Sequence, residues 1–296
     1  MRSSSNTGCR KGNTDRSQTF DKECNGGHRQ KALYIVGIGP GSIDHLTHRA
    51  AEVLKSVDSV VGYTTYIDLI GPLIGGKNII STPMTKEVER VQAALDIALS
   101  GKPCAIVSSG DPGIYAMAGL VLEMCQANGI SIKPPFQSVE NKVQDHTLRL
   151  EVVPGIPALC AGASLLGAPL THDFAVISLS DLLTPWEIIE KRLDAAARAD
   201  FVIVLYNPKS KRRRRQLEKA QKIILKHRDK HTPTGVVISA MRKNQEVLIV
   251  SLEKLHQVPA NMQTTVFIGS SKSFRYLDFM STPRGYADKY SLYEKK

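Results

Sequence analysis

The sequence predicts an α/β protein made of two α/β domains with a cleft between them, and three observations carry that expectation. From residue 31 onward, short apolar runs alternate with stretches of helical period, the rhythm of βαβ units. The rhythm occurs twice, and the rigid turn "VVPGIP" at 152–157 separates the two sets. Between the first strand and the first helix, "LYIVGIGPGSIDHLT" at 33–47 stops an apolar run at three glycines, Gly37, Gly39 and Gly41. A strand that breaks this abruptly into glycine means that something approaches its backbone closely.

Taken in order, strands are expected at 33–37, 58–62, 103–108 and 149–153, with helices near 46–56, 85–100 and 113–128. The second set has strands near 174–179, 201–206, 235–240 and 265–269, and helices near 157–167, 185–198, 210–228 and 251–257. The domains are placed at 31–153 and 154–282, with a tail at 283–296. Residues 1–30 are rich in Ser, Gly, Asn and charge, and read as a disordered basic extension that cannot bury enough apolar surface to offset ordering. Segment 131–148 is polar, carries Pro134-Pro135 and shows no period, so it reads as a surface-loop insertion in the first domain.

Composition narrows the function classes. No apolar run approaches the about 20 residues that span a bilayer, and the first 30 residues lack the apolar core of a secretory signal. The five cysteines are scattered and form no C-x-x-C pair, which argues against disulfides, zinc and iron–sulfur and points to a reducing cytoplasm. The net charge is +11, and residues 1–31 carry seven Lys/Arg against three Asp/Glu. The remaining excess belongs to the folded part and would attract an anionic partner.

Three loops carry the chemistry. The first, G-I-G-P-G-S, departs from a dinucleotide fingerprint: Ser42 stands where the last glycine belongs, and Pro40 removes an N–H that a pyrophosphate would use. The second strand also ends in Gly62-Tyr63 rather than in an acid. The second loop, "IVSSGDPGIYAMAG" at 106–119, places Asp111-Pro112 after a strand. Asp111 there either caps a helix starting near Gly113 or meets a ligand at the carboxyl end of the strand, and the two roles are compatible. In the third, "EVVPGIPALCAGASLLGAPLTHDF" at 151–174, prolines set a turn before a helix of small residues that admits a flat ligand or simply packs tightly.

With "LTHDFAVISLSDLLTPW" and "VLYNPKSKRR", these motifs in this order resemble the tetrapyrrole methylases over about residues 31–282. The resemblance is strongest to the branch that methylates precorrin-3B, or its cobalt counterpart, at carbon-17 in cobalamin synthesis. It implies S-adenosylmethionine held between the domains, a polycarboxylate tetrapyrrole substrate and a homodimer. Position by position, it implies a cofactor site drawn from Pro40, which would also line the substrate trough, and from Ser109, Gly110, Asp111, Ile114 and Tyr115. Pro157 and Ala158 would join from the domain joint, Asn207 from the second domain, and Met241 or Arg242 from "SAMRKN". No metal is implied for the protein itself. The same resemblance leaves open a sibling methylase acting at another ring carbon.

Methylation in this branch accompanies ring contraction, which needs proton transfers. His172 and Asp181 are the candidates, within a stretch that also holds Thr171, Asp173 and Ser180. His172 equally suits ordering its turn, and Asp181 capping the segment after it. Lys209 to Arg215, "KSKRRRR", invites an RNA-binding reading. The lack of aromatic interleaving favours a solvated helix face instead.

Overall fold

A computed structural model of the chain describes residues 31–136 and 147–292. The extension 1–30 and most of the expected insertion, 137–146, lie outside the described residues.

The first half contains β1 (Ala32–Gly37), α1 (His48–Ser56), β2 (Ser59–Tyr63), α2 (Thr64–Leu69), β3 (Asn78–Thr82), α3 (Glu87–Leu99), β4 (Cys104–Ser108), α4 (Met117–Ala127), β5 (Ile132–Lys133) and β6 (Leu148–Val153). Its six strands form one parallel sheet, ordered β3-β2-β4-β1-β6-β5. Strands β1 and β4 are apolar throughout because helices cover both faces. On one face Val91, Ala94, Leu95 and Ala98 of α3 pack with Leu33, Ile35 and Ile106. On the other, Val53 and Leu54 of α1 pack with Val36 and Val107. Each fully buried Leu or Ile here contributes about 1.5–3 kcal/mol. Thr47 starts α1 by accepting from the Ala50 N–H at 3.2 Å.

The second half contains α5 (Ala158–Leu166), β7 (Gly167–Ala168), β8 (Phe174–Ser178), α6 (Trp186–Arg198), β9 (Val202–Tyr206), α7 (Gln216–Ile224), β10 (Pro233–Ile238), β11 (Glu246–Ser251), β12 (Thr264–Ile268), β13 (Phe274–Tyr276), β14 (Phe279–Ser281) and α8 (Tyr286–Lys289). Five strands form a second sheet, ordered β11-β10-β12-β9-β8, and β13, β14 and β7 make a small third one.

Several expectations need correction. The second sheet is mixed rather than parallel: β8 and β9 run parallel, while β12 is antiparallel to both β9 and β10, and β10–β11 is a hairpin. The helix expected over 210–228 begins only at Gln216, and the one at 251–257 is a 3₁₀ turn over Leu252–Gln257. Elements α2, β3 and β11 had no counterpart in the sequence reading; β3 is a largely exposed edge strand with little apolar signal. The expected loop at 131–148 includes β5, which pairs with β6, and the expected tail includes the single turn α8.

The small residues of α5 answer the packing question left open above. A Cβ on Gly162 would lie 2.7 Å from the Phe267 ring, which is fully buried in β12. The helix therefore seats tightly on the second sheet. No helix among the described residues is long and apolar enough to cross a membrane.

Candidate active site between the two sheets

In the first sheet β4, β1 and β6 are neighbours, so the loops after their carboxyl ends emerge side by side. The glycines let those loops touch backbone to backbone. Gly39 and Gly110 exchange two hydrogen bonds, at 2.7 and 3.2 Å, and Ile38 N–H donates to the Ser108 carbonyl at 2.9 Å. A Cβ on Gly37 would lie 2.6 Å from the Gly110 oxygen, and one on Gly155 only 2.1 Å from it. What approaches the G-I-G-P-G backbone so closely is the two neighbouring loops.

Asp111 binds this cluster together. One carboxylate oxygen accepts from Gly113 N–H at 2.8 Å, and the other from Gly155 N–H at 3.2 Å. Helix α4 begins at Met117, with Ala116 as its cap residue, so Asp111 closes a turn and does not cap the helix expected near Gly113. Each oxygen keeps a further lone pair for a ligand.

In the second sheet the carboxyl ends of β8, β9 and β10 point the same way, because β12 is antiparallel to both of its neighbours. They meet the first-sheet loops there. Tyr115 Oη donates to the Val176 carbonyl at 2.9 Å, and its ring lies 5.4 Å from that of Tyr206. Tyr206 Oη accepts the Leu159 N–H at 2.8 Å, which satisfies a free donor in the first turn of α5. Burial pushes the Tyr206 phenol up to about 12 and raises that of Tyr115, so both are neutral at physiological pH.

Arg242 crosses from the β10–β11 turn to the first sheet. Its Nε donates to the Pro40 carbonyl at 2.7 Å and its Nη2 to Ser109 Oγ at 3.1 Å, and its side chain fills the space where Gly41 lacks a Cβ. Burial lowers its pKa without removing its charge.

The backbone is strained at this junction. Tyr115, Asn207, Ser239 and Met241 have φ of 52°, 52°, 51° and 57°, the left-handed region that costs about 1–3 kcal/mol per residue outside glycine. Asn207 tolerates it best, and its amide donates to Ser178 Oγ at 3.0 Å. Met241 N–H donates to Gln245 Oε1 at 2.8 Å, which tightens the hairpin turn.

The ten residues expected around a cofactor all lie on this junction. Pro40 is buried, with its carbonyl bound by Arg242. Ser109, Gly110 and Asp111 sit in the first-sheet loops, and Ile114 packs against the core of the second sheet. Pro157 caps α5 and Ala158 opens it, close to Gly110. Tyr115 reaches from the β4–α4 loop to the Val176 carbonyl, and Asn207 and Met241 complete the second-sheet side.

The proposed proton carriers separate. His172 is exposed before the amino end of β8, where its Nδ1 accepts the Asp173 N–H at 2.8 Å. Asp181 follows the carboxyl end of the same strand and accepts from Gln216 Nε2 at 2.9 Å. A five-residue strand, about 3.3 Å per residue, stands between them, so they do not share a site, and His172 precedes the end of β8 opposite to the junction. Tyr206 and Ser178 went unnoticed in the sequence, although Tyr206 directly precedes Asn207 in the quoted "LYNP".

A model of the tetrapyrrole (corrin/porphyrin) methylases matches residues 32–256, spanning the loops of both sheets. The chain belongs to this family. A cobalt-factor III methyltransferase of Priestia megaterium is 49% identical over 260 residues, which cover 88% of this chain and 46% of that protein, so the chain spans about half of that relative. A probable cobalt-factor III C(17)-methyltransferase of Salmonella typhimurium is 43% identical, with 86% of this chain and 99% of that protein covered. Among solved structures, the methyltransferase CobJ superposes with a TM-score of 0.75 at 32% identity, covering 85% of this chain and 99% of that one.

The junction suits an uncharged adenosyl group and a sulfonium. It offers two neutral phenols, an amide and a carboxylate with spare lone pairs. Among the described residues, no group of three or more His, Cys, Asp or Glu is placed to hold a metal.

Proposed function

We propose that this methylase transfers a methyl group from S-adenosylmethionine to carbon-17 of cobalt-factor III, with contraction of the ring, in cobalamin synthesis. The observation that carries the reading is the meeting of first-sheet loops with Tyr206, through the Tyr115 ring, and with Arg242, through Pro40 and Ser109, at the carboxyl ends of both sheets, in a chain 49% identical to a cobalt-factor III methyltransferase. Bound S-adenosylmethionine supplies an electrophilic methyl on sulfur, so no nucleophilic side chain is required. The chain's task is alignment and exclusion of water. Pro157, Ala158 and Ile114 offer apolar surface, Asp111 and Asn207 hydrogen-bonding groups, and Tyr115 and Tyr206 the wall between the two sheets. A homodimer is part of the proposal, and the mass in light scattering tests it.

The decisive test is calorimetric titration with S-adenosylhomocysteine, followed by anaerobic turnover of cobalt-factor III and precorrin-3B with a ¹³C-labelled methyl donor. Saturable binding, at least about ten-fold weaker in Asp111→Ala, and a label at carbon-17 are expected. A label at another ring carbon would assign the chain to a sibling activity. No binding by the folded wild-type protein would end the methylase reading.

A further inference from the structure

Two loops leave the second sheet beside the junction and, apart from Asn207 at the root of the second, take no part in the proposed cofactor site. Residues 179–185 follow β8 and residues 207–215 follow β9; the strands are adjacent and parallel, so the loops emerge together. They are tied to each other: Arg213 Nη1 donates to Ser180 Oγ at 3.1 Å, and Gln216 to Asp181 at 2.9 Å. Asn207, at the root of the second loop, belongs to the proposed cofactor site.

Their chemistry is unusual for a surface with nothing to bind. Leu183 is 94% exposed and Leu182 69% exposed, at the tip of the first loop. The second loop carries six cations between Lys209 and Arg215 and no acid, and none of them forms an ion pair among the described residues. Arg212 to Arg215 also stand directly before the amino end of α7, where the helix dipole and their mutual repulsion oppose positive charge. Glu218 in the first turn of α7 offsets part of this charge, at Arg215, and local rules broken to this degree are expected at sites of function. Apolar tip and unpaired guanidinium groups together match one ligand chemistry: a flat apolar ring with carboxylates on its rim.

We infer that loops 179–185 and 207–215 form a jaw that selects the tetrapyrrole substrate, with Leu182 and Leu183 against the face of the macrocycle and Arg212, Arg214 and Arg215 on its peripheral carboxylates. The inference rests on the methylase reading above and adds to it the residues that recognise the substrate. Arg213 acts through Ser180, as a positioning residue. An RNA partner is disfavoured because leucines, not stacking aromatics, stand beside the basic run.

The test uses the full chain, an Arg212→Gln/Arg214→Gln/Arg215→Gln variant and a Leu183→Ser variant. Three quantities are read: KM for cobalt-factor III, fluorescence binding of uroporphyrin (an octacarboxylate), and calorimetric affinity for S-adenosylhomocysteine. The triple variant should raise KM and weaken uroporphyrin binding by about ten-fold or more, with loss of their salt dependence. Leu183→Ser should weaken both while keeping the salt dependence, and S-adenosylhomocysteine should bind all three proteins alike. Unchanged KM and uroporphyrin binding in both variants would overturn the jaw, as would a parallel loss of S-adenosylhomocysteine binding, which marks a purely structural role. Tighter binding of mixed RNA than of uroporphyrin, abolished in the triple variant, would overturn it in favour of nucleic acid. If the wild-type protein turns over no tetrapyrrole yet binds uroporphyrin through these residues, the jaw stands and the carbon-17 reading falls.

Discussion

The two sides of the junction are built from different material. On the first sheet, loops meet through backbone: Gly37 and Gly155 lie so close to the Gly110 carbonyl that neither has room for a Cβ, and Asp111 ties two of the loops by main-chain N–H groups. On the second sheet, contact is made by long side chains, Tyr206, Asn207, Arg213 and Arg242, from turns held at positive φ. A backbone cradle has few conformations open to it and holds one shape. Side-chain contacts can reform when a ligand enters, because rotamers exchange more readily than packed backbone moves. The difference assigns the fixed half of the site to the first sheet and the adaptable half to the second.

The sharpest way to break the comparison is Gly155→Ala. Its Cβ would fall 2.1 Å from the Gly110 oxygen and 2.8 Å from the Gly37 carbonyl, all backbone atoms that no rotamer change can relieve. A loss of about 3 kcal/mol is expected, lowering Tm by roughly 6–12 °C. A melt within about 2 °C of wild type would show that the cradle yields, and the contrast with the second sheet would go.

Arg242→Lys probes the adaptable side. Lysine keeps the charge but cannot reach Pro40 and Ser109 together in the same geometry. A loss of about 1 kcal/mol in stability and a several-fold weaker titration with S-adenosylhomocysteine are expected. A stability loss as large as that of Gly155→Ala would make Arg242 as rigid a part as the glycine stack.

The smallest effect belongs to the second half away from the junction. Arg228 is buried, donates to the Phe201 carbonyl at 3.0 Å and pairs with Asp200 at 3.1 Å. Burial alone would raise the Asp200 pKa, but hydrogen bonds from Ser271 and the charge of Arg228 hold it below the ordinary carboxylate value. A depressed folded-state pKa means stability present above about pH 4 and lost as pH falls through the lower folded value. Tm measured from pH 5 to pH 3 should therefore fall less steeply in Asp200→Asn than in wild type. Parallel curves would remove Asp200 from the acid response.

The buried strands were legible because their runs are largely apolar: β1, β4, β9 and β12 appear where the sequence places them, within a residue or two. Edge strand β3 and hairpin strand β11 were not: β3 has only Ile79 and Ile80 between polar residues, whereas β11 carries the apolar run 247–250 but follows β10 with no helix between them, outside the expected strand–helix alternation. The direction of the second sheet was equally hidden, because an alternation of strands and helices does not say which way β12 runs. For the site, the loops were visible as breaks in apolar runs, and the residues they carry lie together at the junction. His172 and Asp181 were candidates by residue type alone, and β8, over the strand expected at 174–179, puts them at opposite ends of a strand.

The sequence by itself determined the α/β class, the buried strands, the glycine loops and the family, because apolar periodicity and turn chemistry are local properties. Only the tertiary structure decided that the glycines serve loop-to-loop contact, that Arg242 spans the two sheets, and that the loop of Leu182 and Leu183 is tied to one whose six cations make no ion pair among the described residues. Those facts depend on which strands lie side by side, and strand order is set by packing between residues from about twenty to more than a hundred positions apart.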